Sequence, residues 1–394
     1  MISRIYKIFS LPIKKLLFWL VSCIKVRQYD FAKKSDDTQL KILHIVRLDA
    51  IGDFILFSAI LPYFRKIYPD YKIILIVDLV NKDLALSLNR ECILGPVVNS
   101  YFDELIAIDG RAYNRNFFYY YQTLKKIRLS NPWIVIQPTF SRTKKSDEVV
   151  FISREARKIA YCGDFSNIGF KAKLKNDKKY DLLIKNHLSL MEVDRNKHFI
   201  NELVGAKLLL SGVPSWQIAE NFKNSINGQL ESLGIDMSKN LVVICPGSSR
   251  KIKNWPTKNF IDLIERLLKS IPNIQFILIG GSREKEICDY IHKKFESKSV
   301  YNICGQVSLP ELSKILANSK LYIGNDTGAM HMACAVGISV IGIMSGEHGV
   351  RFFPYPAWYQ GGHNIAVFSK DNKIGVENIE VEDVFFETIK ILKG

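Results

Sequence analysis

One stretch constrains the fold more than any other: Tyr322–Gly346, YIGNDTGAMHMACAVGISVIGIMSG. Its residue types predict a strand (Leu321–Gly324), a polar turn (Asn325-Asp326-Thr327-Gly328), a short helix (Ala329–Val336), a stop at Gly337 and a second strand (Ser339–Met344). Gly337 suits a helix C-terminus, and the small apolar Ala, Met and Cys body suits a buried helix. A strand that runs into a helix through a glycine-bearing turn leaves backbone N–H groups unpaired. With the positive end of the helix dipole they form a seat for phosphate. Thr327 adds a hydroxyl, and His331 follows Gly328 by one helical turn, within reach of the same anion. The plainer alternative is an ordinary turn with Asp326 or Thr327 as N-cap and His331 on the surface.

The surrounding chain alternates strands and helices twice over. In the first half, strands are predicted at Lys41–Arg47, Lys72–Asp78, Glu104–Asp109, Trp133–Pro138 and Lys158–Cys162. Helices are predicted at Phe54–Tyr68, with Pro62 inside it, at Asn81–Cys92 and at Asn116–Leu129. Met191–Asn201 reads as helix or loop. In the second half, strands fall at Leu241–Ile244, Ile274–Gly281, Val300–Cys304 and Ile365–Phe368. Helices fall at Pro256–Ser270, Ser282–Phe295, Ser308–Asn318 and Val381–Leu392. Ser308 and Glu311 form a capping-box pattern, and Pro256 is well placed in a first turn. Such alternation predicts parallel sheets covered on both faces, with ligands beyond the carboxyl ends of the strands. Asp53, Asp78, Asp109 and Gln137 fall at or just after those ends.

A length of 394 residues suits two domains. Turn signals at Gly212-Val213-Pro214 and Asn227-Gly228 put the boundary within Leu210–Ser238. The expected organisation is a basic arm and linker at 1–38, with a polar stretch Lys33–Gln39, a first domain at 39–210 and a second at 211–394. The net charge of +16 favours an anionic partner. The seven scattered cysteines form no C-x-x-C pair, which argues for a reducing compartment and against a zinc site or a disulfide framework.

Met1–Arg27 carries Arg4, Lys7, Lys14, Lys15, Lys25 and Arg27 and no acidic residue, interleaved with Ile2, Ile5, Phe9 and Leu16–Val21. Its uncharged run Leu16–Ile24 is too short to span a bilayer, and no A-x-A cleavage site follows. A basic amphipathic helix on the anionic inner leaflet of the cytoplasmic membrane fits this composition. The alternative is a helix docked on the body of its own chain. Ser141–Lys145 and Lys171–Lys179 read as solvated basic surface. The basic residues form no continuous stripe with interleaved aromatics, so nucleic acid is not an expected partner.

Three turns carry the candidate chemistry of the second half: 246–250, 280–284 and 325–329. Arg250 and Lys253 bring charge to the first, and Glu284 or Glu286 a carboxylate to the second. Backbone donors and Lys/Arg for a pyrophosphate, with a carboxylate for a ribose, describe a nucleoside diphosphate site. Neither G-x-x-x-x-G-K-[ST] nor a G-x-G-x-x-G after a first strand is present, which excludes Walker-type NTPases and the dinucleotide fingerprint. In the first half, Asp53 lies in a glycine-bearing loop. It is either an acid favouring a helix N-terminus or a general base, and spacing leaves both open.

The segments KILHIVRLDAIGDFILFSAILPYFRKIYPDYKIILIV, PGSSRKIKNWPTKNFIDLI, FILIGGSREKE and GNDTGAMHMACAVGISVIGI, in that order, resemble the heptosyltransferase-like glycosyltransferases of family 9. The resemblance covers roughly residues 41–80 and 241–346. It implies an α/β GT-B fold: two Rossmann-like domains with parallel sheets facing an interdomain cleft. It also implies inverting transfer of a heptose-like sugar from a nucleotide-diphosphate sugar to an anionic glycolipid acceptor of the lipopolysaccharide core, with no metal and no further cofactor. Carried over by position, the family's base falls on Asp53, its hydroxyl-bearing turn on Ser248 and Ser249, and its lysine on Lys253. The donor-site acid falls on Glu286, with Glu284 the other register. The phosphate signature falls on Asp326, Thr327, Gly328 and His331, and the loop flanking the nucleobase near Val307. The expected location is cytoplasmic, peripheral on the inner membrane. After the last core strand the family's F-G-P-T-D-P is replaced by Met344-Ser345-Gly346-Glu347-His348-Gly349. Rival readings are a GT-B-like nucleotide-sugar epimerase and a non-catalytic nucleotide-sugar or nucleic-acid binder.

Overall fold

The structure is a computed structural model that describes residues 2–26, 40–93, 100–185, 191–206, 226, 228, 230–236, 238–295, 299–347, 350–356, 362–369 and 375–393. The polar linker at 33–39, most of the expected domain boundary at 210–238 and residues 348–349 lie outside them. The chain divides into two compact units. One comprises Met1–Phe54, Ile60–Ser189 and Arg195–Leu208; the other comprises Ile55–Ala59, Leu190–Asp194 and Leu209–Gly394.

The first unit is built on six strands: β1 (Lys41–Arg47), β2 (Tyr71–Asp78), β3 (Glu104–Ile108), β4 (Ile134–Gln137), β5 (Arg157–Tyr161) and β6 (Leu182–Ile184). All pair in parallel in the order β3-β2-β1-β4-β5-β6. β1, KILHIVR, is buried from Leu43 to Arg47, with His44 and Arg47 taken inside among its apolar residues. In register, Ile45 lies beside Leu75 and Ile136. Val46, Ile74, Ile76, Tyr120, Leu124 and Ile127 fill one side of the core.

Nine helices described here surround that sheet or lead out of it: α1 (Ile2–Ser22), α2 (Ile51–Ser58), α3 (Leu61–Ile67), α4 (Lys82–Ile93), α5 (Gly110–Arg115), α6 (Phe117–Leu129), α7 (Lys144–Phe151), α8 (Phe170–Asp177) and α9 (Glu192–Val204). The single helix expected over 54–68 is two, α2 and α3. Pro62 falls in the first turn of α3, where its missing N–H leaves no bond unmade.

In the basic runs at 141–145 and 171–179, Lys144, Lys171, Lys175, Lys178 and Lys179 are exposed, as expected of solvated charge, but Arg142 and Lys173 are buried where α7 and α8 pack. Arg142 is 2% exposed and Lys173 3%. Arg142 pairs with Asp147 and Asp177, and Lys173 lies 2.7 Å from Asp177. Gln137 is also internal rather than facing a cleft: it is fully buried and accepts a hydrogen bond from Tyr180.

α1 lies against α6. Val21 is fully buried, with Leu17, Phe18 and Ile24 packed on the same core. Lys14 Nζ donates to Tyr113 O at 2.9 Å and stands 4.9 Å from the Tyr120 ring centre. At the other end, Arg128 donates to Ile24 O from both Nε (3.2 Å) and a terminal nitrogen (3.0 Å). The Arg128 cation meets the negative end of the helix. Among the described residues no helix is long and apolar enough to cross a membrane.

The second unit has β7 (Asn240–Cys245), β8 (Ile274–Leu278), β9 (Val300–Asn302), β10 (Leu321–Asn325), β11 (Ser339–Ile343) and β12 (Asn364–Val367). They too are all parallel, in the order β12-β11-β10-β7-β8-β9. Read from β9, this is the same permutation as in the first unit. Each sheet therefore has one point where the strand order reverses, between β1 and β4 and between β7 and β10. In doubly wound sheets that point opens a crevice at the carboxyl edge.

Candidate functional site

In the second unit the three expected turns follow β7, β8 and β10, so parallel pairing brings all of them to one sheet edge. Asn325, fully buried at the end of β10, stitches the reversal point together. Its Nδ2 donates to Pro246 O at 2.8 Å, and its Oδ1 accepts from Trp255 N at 3.1 Å. Trp255 is the anchor of the K-x-W-P segment. It is 1% exposed, packs edge-on against Phe260 and donates its indole N–H to Ile379 O. A fixed Trp255 sets the position of Lys253 two residues earlier. Lys253 Nζ lies 2.6 Å from Asp326 Oδ2, with side chains 14% and 9% exposed.

Thr327 precedes the Gly328–Ala335 helix in extended conformation, and its own side chain makes no capping bond to that helix's first turn. Its hydroxyl turns toward Tyr322 Oη at 3.2 Å and Cys245 Sγ at 3.8 Å. Met330 N and His331 N bond back to Thr327 O, so the N–H groups of Gly328 and Ala329 are the ones at this helix start that can serve an anion. His331 is 6% exposed, with Nε2 3.9 Å from Asp326 Oδ1 and Nδ1 bonded to the Tyr355 hydroxyl. Burial, aided by the charge of Lys253 and opposed by Asp326, lowers its pKa to about 4, so the ring is neutral. Gly324 has to be glycine: a Cβ there would stand 2.7 Å from Cys245 O.

The remaining predicted residues distribute unevenly. Ser248 shapes its own turn by donating to Asn254 Oδ1 at 2.5 Å, while Ser249 is exposed. Of the two candidate acids, Glu284 is the one at the turns. Its Cγ would be 2.2 Å from a Cβ on Gly247, and its Oε2 accepts from Gly281 N at 2.8 Å. Glu286 stands on the exposed face of the Lys285–His292 helix, beside Ser282, Arg283 and Tyr290. Val307 lines a mostly apolar cavity of about 230 Å3 with Leu230, Leu233, Ile303 and Ile315.

Two contacts escaped the sequence reading. Tyr355 comes to His331 from 24 residues away, and Glu347 pairs with Arg250 from 97 residues away, at 2.5 and 2.6 Å. Only the second had a signal: Glu347 belongs to the segment that departs from F-G-P-T-D-P.

The first unit carries Asp53 at its own reversal point, in the first turn of α2 rather than in the expected loop. Arg47, fully buried at the end of β1, lies 2.8 Å from Asp49 Oδ2 and donates to Pro138 O beyond β4 and to Asp53 O in the first turn of α2. Asn81 Nδ2 ties Asp49 O to the end of β2 at 3.0 Å. Next along that edge is an open depression of about 670 Å3, lined by Asp78, Asp109, Arg111, Asn114, Arg115 and Lys145 among others. Asp78 is held by Lys145 at 2.8 Å, and Asp109 caps α5 by accepting from the N–H groups of Arg111 and Ala112. Those backbone bonds, before the nearby charges, keep the Asp109 carboxyl below its ordinary pKa. Among the described residues no three His, Cys, Asp or Glu side chains gather as a metal cage, and Cys23, Cys162, Cys245, Cys288, Cys304 and Cys334 are free thiols.

The sequence pattern of glycosyltransferase family 9 (heptosyltransferase) matches residues 164–372. The chain is 26% identical over 183 residues to lipopolysaccharide heptosyltransferase 3 of Escherichia coli K12, covering 44% of this chain and 52% of that protein. It thus spans about half the length of this curated relative. In three dimensions it is similar to the family 9 glycosyltransferase of Veillonella parvula, with TM-score 0.70 and 17% identity over 90% of this chain and 98% of that one. It is also similar to E. coli heptosyltransferase WaaC with ADP-2-deoxy-2-fluoro heptose, with TM-score 0.65 and 18% identity over 88% and 98%. These likenesses identify the fold as GT-B, with one Rossmann-like parallel sheet in each unit. With more than half its length matched by the family pattern, and the family's motifs gathered at the β7/β10 reversal point, the chain belongs to glycosyltransferase family 9.

Proposed function

We propose that the protein is an inverting glycosyltransferase. It moves a heptose-like sugar from a nucleotide-diphosphate sugar to a lipopolysaccharide core or related cell-surface glycan. The observation that carries this reading is the cluster at the β7/β10 reversal point: Lys253, Asp326, Thr327 and the Gly328–Ala335 helix, which the Thr327 side chain leaves uncapped. A diphosphate seated there meets a lysine and the N–H groups of Gly328 and Ala329, and the neutral His331 adds a hydrogen bond without adding charge. The relative bound to an ADP-sugar analogue favours adenosine as the base. Glu284 is the better placed of the two acids for ribose hydroxyls, because it sits between the turns after β7 and β8.

The reaction is a single displacement. Asp53 takes the proton from an acceptor hydroxyl as that oxygen attacks the anomeric carbon, while Lys253, Thr327 and the helix N–H groups stabilise the departing diphosphate. Positive charge at the leaving group comes from the protein, so this route calls for neither a metal nor another cofactor. The depression bearing Arg111, Arg115 and Lys145 suits the anionic groups of a glycolipid acceptor. The reaction is placed on the cytoplasmic side, with the protein peripheral on the inner membrane.

A thermal-shift panel of ADP-, UDP-, GDP- and CDP-sugars tests the donor site. At ligand near 100 times Kd, a native-state ligand adds about 2.7 kcal/mol of stability. One nucleotide sugar should raise the Tm of the wild type and shift Lys253→Ala much less. No shift from any of the four, or an undiminished shift in Lys253→Ala, would remove the seat from the account. Product formed from donor alone would instead favour the epimerase.

A further inference from the structure

Helix α1 has two faces with opposite environments. Val21, Leu17, Phe18 and Ile24 belong to the packed side. On the other side Ile13 is 42% exposed, Leu16 55%, Trp19 58% and Leu20 44%. Their spacing of three and four residues puts them in one row. A single exposed leucine needs no explanation, but a contiguous aliphatic and aromatic row on one helix face marks a contact surface. The helix cannot turn this row inward, because Lys14 is held by Tyr113 O and the C-terminal carbonyl of Ile24 by Arg128.

Charge selects the occupant. Lys15 on the helix and Lys25 just beyond its end are exposed, and residues 1–27 contain no acidic side chain. A second copy of the same face would bring like charges together. An anionic bilayer accepts both the apolar row and the lysines, and an indole favours the headgroup boundary. We propose that the Ile13, Leu16, Trp19 and Leu20 face of α1 lies in the headgroup–acyl boundary of an anionic membrane. The docked face of the same helix then holds the enzyme body at that surface. This deepens the membrane placement given above and rests on it, but its test is independent of sugar transfer.

The full chain and the double variant Trp19→Glu/Leu20→Glu are compared by flotation with vesicles of phosphatidylcholine containing phosphatidylglycerol and of phosphatidylcholine alone. Sedimentation, Tm and turnover on a lipid-free acceptor fragment are recorded in parallel. Both substituted side chains point outward, so Tm and turnover should stay at wild-type values. Partition onto the anionic vesicles should fall by about tenfold or more, and wild-type binding should weaken on the neutral ones. Equal flotation of both chains, or no flotation of the wild type, overturns the proposal. So does a wild-type dimer that the variant makes monomeric while leaving flotation unchanged. A chain that floats yet transfers no sugar would sink the reaction proposed above and leave this surface standing.

Discussion

Lys253 and Asp326 are an ion pair drawn largely out of water before any ligand arrives. Desolvating two charges is costly, and a pair of this kind is more readily understood as a prepared binding group than as a source of stability. His331 beside it and His44 within β1 are both kept neutral by burial, with pKa values lowered to about 4 and about 3. The sign of the consequence is fixed. An unfolded histidine takes a proton near pH 6.5, and these folded ones do not. Stability is therefore full above about pH 6.5 and is lost as pH falls toward the folded values. The urea midpoint should drop between about pH 7 and about pH 5, and His44→Gln should flatten part of that drop. A midpoint that does not change over this range would contradict the burial account. At this scale the sequence was readable where chemistry is compact: Asp326, Thr327, Gly328 and His331 fall within one strand–turn–helix. Tyr355 and Glu347 were not, because nothing local tells a residue which distant one it will meet.

Elements were legible where their ends carry side-chain caps. Ser308 and Glu311 form the predicted reciprocal pair at the start of the Leu309–Ala317 helix, with Glu311 Oε2 accepting from Ser308 N at 2.7 Å. Ser308→Ala should cost about 1 kcal/mol, read as a lowered urea midpoint with an unchanged slope. A null effect would mean the cap is satisfied by water. The misread elements show that a cap is not sufficient. Counting charges at 141–145 concealed the start of α7, although Thr143 and Ser146 form their own capping box there. Pro62, expected inside one helix, instead opens a second. For α1 the sequence offered body or membrane as alternatives; a helix has room for a different neighbour on each face.

At the scale of the molecule, the same strand permutation occurs twice, and each reversal point is tied across by a side chain bonded to a proline carbonyl. Arg47 reaches Pro138 O in the first unit and Asn325 reaches Pro246 O in the second. Alternating apolar runs and helical patterns made both sheets predictable except for β6, an edge strand of three residues with too short an apolar run to stand out. Strand order was not, since it depends on which runs pair across long separations. The account assigns the two reversal points different work: the second binds the donor diphosphate, and the first supplies the carboxylate that accepts the proton. Asp53→Asn tests that division most directly, with transfer measured at saturating donor alongside donor affinity. The account predicts a loss of turnover of about 100- to 10,000-fold with donor affinity unchanged. Wild-type turnover in Asp53→Asn would contradict it.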